Sequence, residues 1–169
     1  MITKEEIANA YKQIQDEICA GLELADGAGK FEEELWTREG GGGGRTRIIQ
    51  NGNVLEKGGV NFSAVEGKLP ENIKKAFGVS EDDFFATGVS IVIHPKNPWI
   101  PIIHMNIRYF EMTSESVKQL RWFGGGIDLT PHYVIEEDAR FFHQILKATC
   151  NKFKKDFYSD FKKWADEYF

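Results

Sequence analysis

Apolar positions change period twice along this chain. Thr3 and Glu6 form a capping-box pair, and Ile7, Tyr11, Ile14, Ile18 and Leu22 then recur on one helical face before Gly27 and Gly29. The spacing predicts a first helix over residues 3–25. From Phe31 the period falls to two. It predicts a strand over 31–36, a break at the glycines of 40–44, and strands over 45–50 and 54–56 on either side of Asn51-Gly52, a dipeptide favoured in tight hairpins. Gly58-Gly59 predicts a bulge or bend in the strand that runs on through Ala64, and a short helix is expected near 71–77.

Two further strands, 88–94 and 100–111, flank Pro95-Lys96-Asn97-Pro98-Trp99, a connection too short for a parallel crossover, so they pair antiparallel. Another strand is expected over 120–129. Glu136-Glu137-Asp138 then opens a helix carrying Phe141, Ile145 and Leu146, and the chain from 156 onward reads as helical. The fold class is α+β, an antiparallel sheet flanked by helices. The chain stops at Trp164-Ala165-Asp166-Glu167-Tyr168-Phe169 with no polar tail, which reads as a truncated C-terminal end; a terminal aromatic docked on its own core gives the same pattern.

Composition narrows the function class. The 169 residues are 41% hydrophobic and 28% charged, as in a soluble globular chain, and one domain over 1–169 is expected. Lys and Arg number 21 against 26 Asp and Glu, and no basic run tracks a phosphate backbone, so nucleic acid is not the expected partner. No apolar stretch approaches the roughly 20 residues of a membrane span, and the first residues resemble neither a signal nor a transit peptide. A cytoplasmic protein is expected. Cys19 and Cys150 lack CxxC spacing and read as reduced thiols without chemistry.

Strand parity sorts the remaining residues onto two faces. Ile103, Met105, Ile107 and Tyr109 form an apolar face, opposite Ile102, His104, Asn106, Arg108 and Phe110. The neighbouring strand sets Val89, Ile91 and Ile93 against Ser90, Val92 and His94, and the upstream strand sets Val60, Phe62 and Ala64 against Asn61 and Ser63. Asp128 shares parity with the bare positions Gly124 and Gly126. A sheet with one face in water alternates in the same way, but such a face is normally rich in Lys and Glu. Ser, Asn, His, Arg and bare Gly suit a binding floor better.

Arg presents a fork that matches a carboxylate, and Ser and Asn complete its oxygen contacts. The implied ligand is anionic, broad and flat, with Trp122 and Phe123 as apolar wall. The run 40–44 lacks the lysine and the following helix of a phosphate loop, and reads as a flexible lid with Arg45 and Arg47 at its base. His94, His104 and His143 allow a metal site, but their scattered spacing favours His104 as a proton donor or acceptor in line with Asn106 and Arg108.

The segments GGGGRTR at 41–47, GGVNFSAV at 58–65, GVSIVIHPKNP at 88–98, IHMNIRYFE at 103–111, WFGGGIDLTP at 122–131 and KKWADEYF at 162–169 follow one another in an order that resembles the oxygen-dependent coproporphyrinogen-III oxidases of haem biosynthesis. The resemblance covers nearly the whole chain. It implies a homodimer that oxidatively decarboxylates two propionates of coproporphyrinogen III to vinyl groups, giving protoporphyrinogen IX with dioxygen as acceptor and no organic cofactor.

Carried over by position, Ser90, Asn106, Ile107 and Arg108 resemble substrate-contacting positions, joined by Arg47 near the lid, and His104 resembles the proposed proton donor. Asp128 is similar to a carboxylate placed near the tetrapyrrole, able to accept a pyrrole N–H bond. His94, His104 and His143 match histidines assigned to a divalent metal in some bacterial members. Ala165 stands where the family's KxWC segment has Cys, and the chain ends before the family's HRxExRGxGGxFFD stretch. Taken alone, the 169 residues are therefore expected to bind substrate weakly. A non-catalytic tetrapyrrole-binding module and a metal-dependent enzyme for another carboxylated substrate stay open as alternatives.

Overall fold

Helix α1 (Lys4–Asp26) begins at Thr3, whose hydroxyl accepts from Glu6 N–H while the Glu6 carboxylate accepts from Thr3 N–H. It stops at Gly27, which takes the left-handed conformation (φ 79°) and donates to Glu23 O at 2.9 Å. The computed structural model describes residues 2–69, 71, 74–75, 83–113 and 120–168. Six strands follow α1: β1 (Glu32–Thr37), β2 (Gly42–Gln50), β3 (Leu55–Lys68), β4 (Asp83–Pro95), β5 (Ile102–Thr113) and β6 (Leu120–Thr130). They form one sheet in sequence order, every neighbouring pair antiparallel. Helices α2 (Glu136–Cys150) and α3 (Phe157–Tyr168) end the chain. The short helix expected near 71–77 falls mostly outside the described residues.

The chain comprises two compact units, Met1–His132 and Tyr133–Phe169. In the second unit α2 and α3 contact each other through the Tyr158 hydroxyl, 3.1 Å from His143 Nδ1. In the first, α1 lies on one face of the sheet. Its Ile7, Tyr11 and Cys19 join Val60 and Phe62 of β3, Val89, Ile91 and Ile93 of β4, and Tyr109 of β5 in the core. These strand positions alternate with polar ones, so the pleat delivers every second side chain to α1.

The glycine run is not a lid. Gly42, Gly43 and Gly44 pair with Val65, Ala64 and Ser63 inside β2, and only the segment 38–41 turns. Gly44 is required because the Trp36 indole of β1 lies against it, where a Cβ would collide. The β2–β3 connection also differs from a two-residue hairpin. Asn51 takes a left-handed conformation (φ 56°), its N–H reaches Glu56 O at 2.9 Å, and the register shifts between Leu55 and Lys57 rather than at Gly58-Gly59.

The cause of this irregularity is Asp26. At the end of α1 its buried carboxylate accepts from Gly29, Asn53, Val54 and Leu55 N–H at 2.6, 2.9, 2.9 and 2.8 Å. Those bonds draw the start of β3 out of the regular ladder. The Leu55 and Gly29 N–H groups, working against burial, hold the Asp26 carboxyl well below the usual carboxylate range. Because the folded state depresses this pKa, the stabilisation is complete above the unfolded value of about 3.9 and is lost as pH falls through the folded one. Asp26→Asn should therefore lower the thermal midpoint at pH 7, and its deficit relative to wild type should shrink below pH 4. Paired thermal melts from pH 7 to pH 3 test this; a deficit that stays constant would assign the loss to packing alone.

Candidate functional site

Directly opposed residues in an antiparallel sheet project from the same face. The register therefore lays out the face away from α1 as rows. One row runs Trp36, Gly44, Ser63, Gly88, Arg108, Gly124. The next runs Glu34, Thr46, Asn61, Ser90, Asn106, Gly126, and a third contains Gly59, Val92, His104 and Asp128. Ser90 and Arg108 are exposed, while His104, Asn106 and Asp128 are half-buried. The polar floor read from parity is thus one continuous surface of the sheet.

Three glycines shape its central part. Gly88 and Gly124 are the cross-strand partners of Arg108 on its two sides. A Cβ at Gly88 would meet Arg108 Cγ at 3.3 Å, so the arginine stem leans over the bare position. Nothing lies within 4 Å of where a Cβ at Gly126 would stand, which leaves space beside Asn106. Among the described residues no carboxylate or carbonyl engages the Arg108 guanidinium. A cation without an internal partner beside open space is suited to a ligand carboxylate.

His104 is held differently. Its Nδ1 lies 2.9 Å from Oδ1 of Asp128, its direct partner on β6. A carboxylate only accepts, so Nδ1 carries the proton and Nε2 is the ring atom left for proton transfer. Thr130 Oγ1 donates to the same Asp128 oxygen at 3.2 Å, leaving Oδ2 without a partner among the described residues. The His94 ring meets His104 edge-on, with centroids 6.4 Å apart.

Register and packing put Arg47, Ile107 and Phe123 on the side of the sheet that faces α1. Arg47 is not on the floor: it opposes Val60 on the α1 side, where Asp16 holds it at 2.7 Å and Glu33 at 2.8 Å. Burial opposes its charge, but Glu33, Cys19 and Asp16 more than offset this and keep its pKa above the usual value. Arg45 shares that side, bonded to Gln15 Oε1 and Asp16 at 2.7 Å each. The Ile107 side chain also packs on the α1 face, so only its neighbours Asn106 and Arg108 present side chains to the floor. Phe123 pairs with Tyr109 on the α1 side, at 4.8 Å between rings, which leaves Trp122 alone of the two expected wall residues on the floor face.

The histidines matched to a metal divide between the two units. His94 and His104 come together, but His143 lies in the second unit with its Nδ1 against the Tyr158 hydroxyl. Among the described residues no three His, Cys, Asp or Glu side chains form a group able to hold a metal ion. Thr46 and Trp36 were missed on the floor because their parity becomes readable only once β2 is registered against β3.

A family model described as Coproporphyrinogen III oxidase matches residues 6–169. The chain is 49% identical over 169 residues to the oxygen-dependent coproporphyrinogen-III oxidase of Prochlorococcus marinus (strain MIT 9312), covering 99% of this chain and 48% of that protein. It is 51% identical over 158 residues to the protein of the same name from Synechococcus sp. (strain CC9902), covering 92% and 42%, and 48% identical over 169 residues to the chloroplastic one of Glycine max, covering 94% and 44%. The chain spans about half the length of the curated relatives it matches.

The two faces make opposite demands on substitution. Ser90→Ala and Arg108→Ala, both at exposed positions, should each change unfolding free energy by less than about 0.5 kcal/mol. Ile91→Ala, one residue from Ser90 but in the core, should cost about 2 to 5 kcal/mol. Urea denaturation of the three variants measures the contrast; comparable losses at positions 90 and 91 would contradict the face assignment.

Proposed function

The chain belongs to the coproporphyrinogen III oxidase family, and on that premise we propose that the protein of which it forms part converts two propionates of coproporphyrinogen III to vinyl groups, giving protoporphyrinogen IX. Each conversion balances as one propionate, one dioxygen and one proton giving one vinyl group, one carbon dioxide and one hydrogen peroxide. The substrate carbon loses two electrons and dioxygen gains them. A reduced tetrapyrrole supplies those electrons itself, so the protein's part is to bind, orient and manage protons.

The observation that carries this reading is the Arg108 guanidinium, without a partner among the described residues, between Gly88 and Gly124 on a polar floor. It holds a propionate carboxylate, with Ser90 and Asn106 of the adjacent row as hydrogen-bonding neighbours. A guanidinium stabilises the carboxylate most while it is charged, so it retains the group until carbon dioxide departs. His104, fixed through Nδ1 by Asp128, presents Nε2 for proton transfer at the carbon next to the pyrrole. Asp128 Oδ2 accepts a pyrrole N–H and favours the electron-rich ring. The open position at Gly126 leaves room for the breadth of the macrocycle.

The reading includes a homodimer in the cytoplasm. Sedimentation and imaging of the tagged full-length protein test these two parts, and the relatives named chloroplastic define the competing compartment. Activity is tested by incubating the full-length protein with coproporphyrinogen III in air and under argon, then measuring vinyl products by fluorescence after oxidation. Product only in air is expected; binding without product would instead make the protein a tetrapyrrole-binding module. In the same assay Arg108→Ala should raise KM by roughly 10- to 100-fold, the effect of losing a charge-assisted hydrogen bond. An unchanged KM would remove Arg108 from the site.

A further inference from the structure

The polar row ends on hydrocarbon. Phe110 and Trp122, two residues along their strands from Arg108 and Gly124, are direct cross-strand partners on the floor face. Their rings stack at 5.6 Å and 25°, and Phe84 stacks on the other side of Phe110 at 6.2 Å and 13°. Trp122 is the outermost ring of this ladder and stays 43% exposed. Its indole lies over Gly124: a Cβ there would approach Trp122 Cζ3 at 2.9 Å and Cε3 at 3.2 Å. Arg108 leans the other way, over Gly88. The arginine stem and the indole thus occupy the two glycine positions on either side of Arg108, side by side on the floor.

We propose that Trp122 is a specificity-determining residue of this site: its indole, laid over Gly124 and braced by Phe110, packs against the ring whose carboxylate arm Arg108 holds. The inference rests on the tetrapyrrole reading and adds a residue to it. A carboxylate alone needs only the guanidinium, and an acyclic acid would gain nothing from the indole. A flat heteroaromatic ring carrying an acid arm uses both, because stacked or edge contacts between π systems add to the area buried. The three-ring ladder holds the indole in place before the ligand arrives, which reduces the ordering cost of binding. Gly124 is part of the device, since any side chain there would push the indole from its seat.

The test uses the full-length protein, coproporphyrin III as binding probe, and coproporphyrinogen III for turnover. Trp122→Ala should weaken coproporphyrin III binding and raise KM by at least about fivefold, with kcat within about twofold. Trp122→Phe, which keeps a ring, should recover most of the loss. Gly124→Ala, which leaves Trp122 in place but crowds its indole, should fall between them, and it serves as the deciding variant if Trp122→Ala does not fold. Wild-type binding that is unchanged in Trp122→Ala or Gly124→Ala overturns the role of Trp122 and leaves the tetrapyrrole reading standing. A lowered melting temperature with unchanged KM assigns Trp122 to packing and overturns the proposal equally. Absence of coproporphyrin III binding by the wild type defeats both readings.

Discussion

A β-strand can offer each face only every second side chain, and α1 occupies just one face of this sheet. Everything at the site follows from that division. Val60, Phe62, Val89, Ile91, Ile93 and Tyr109 turn toward the helix and bury themselves. Their immediate neighbours, Asn61, Ser63, Ser90 and Arg108, are thereby committed to the other side. The apolar set drives the arrangement through burial, and the polar set is positioned by it without needing internal bonds of its own.

The helix side is more than hydrocarbon. Gln15 is fully buried and donates to Arg45 O and Val60 O at 2.8 and 2.7 Å, while its own oxygen accepts from the Arg45 side chain. Arg45 and Arg47 both reach Asp16 and Glu33. Removing one partner from such a partly buried charge network leaves the others uncompensated. Cys19, its thiol pushed up by burial and eased back by Arg47, is a neighbour of this network. These arginines fasten α1 across β2, so two of the chain's cations are spent on architecture while Arg108 stays available.

Where apolar residues alternate cleanly, as in 89–93 and 103–109, the chain alone announced which side chains share a face. The same logic failed in β2 for a specific reason. Ile48 and Ile49 are adjacent, so hydrophobicity does not say which points inward, and only Ile49 is buried. A one-residue change in register flips every side chain. The irregular connection pinned by Asp26 sets that register, and three backbone N–H groups almost thirty residues away, those of 53–55, cannot be read as one clamp from sequence. Phe123 failed similarly: it follows Trp122, and either ring could have been the inward one. The glycine run was misread because nothing local indicates that an indole from β1 needs Gly44 bare.

Gly124, Gly125 and Gly126 give β6 a middle section with nothing to lock it against sliding along β5. Its alignment depends on the contacts that flank it, the His104–Asp128 bond at one end and the Tyr109–Phe123 and Phe110–Trp122 ring pairs at the other. A slip of one step would carry Asp128 to the helix side and dissolve the imidazole's orientation at once. Alignment and chemistry on this edge are therefore coupled: a substitution that loosens either end disturbs both.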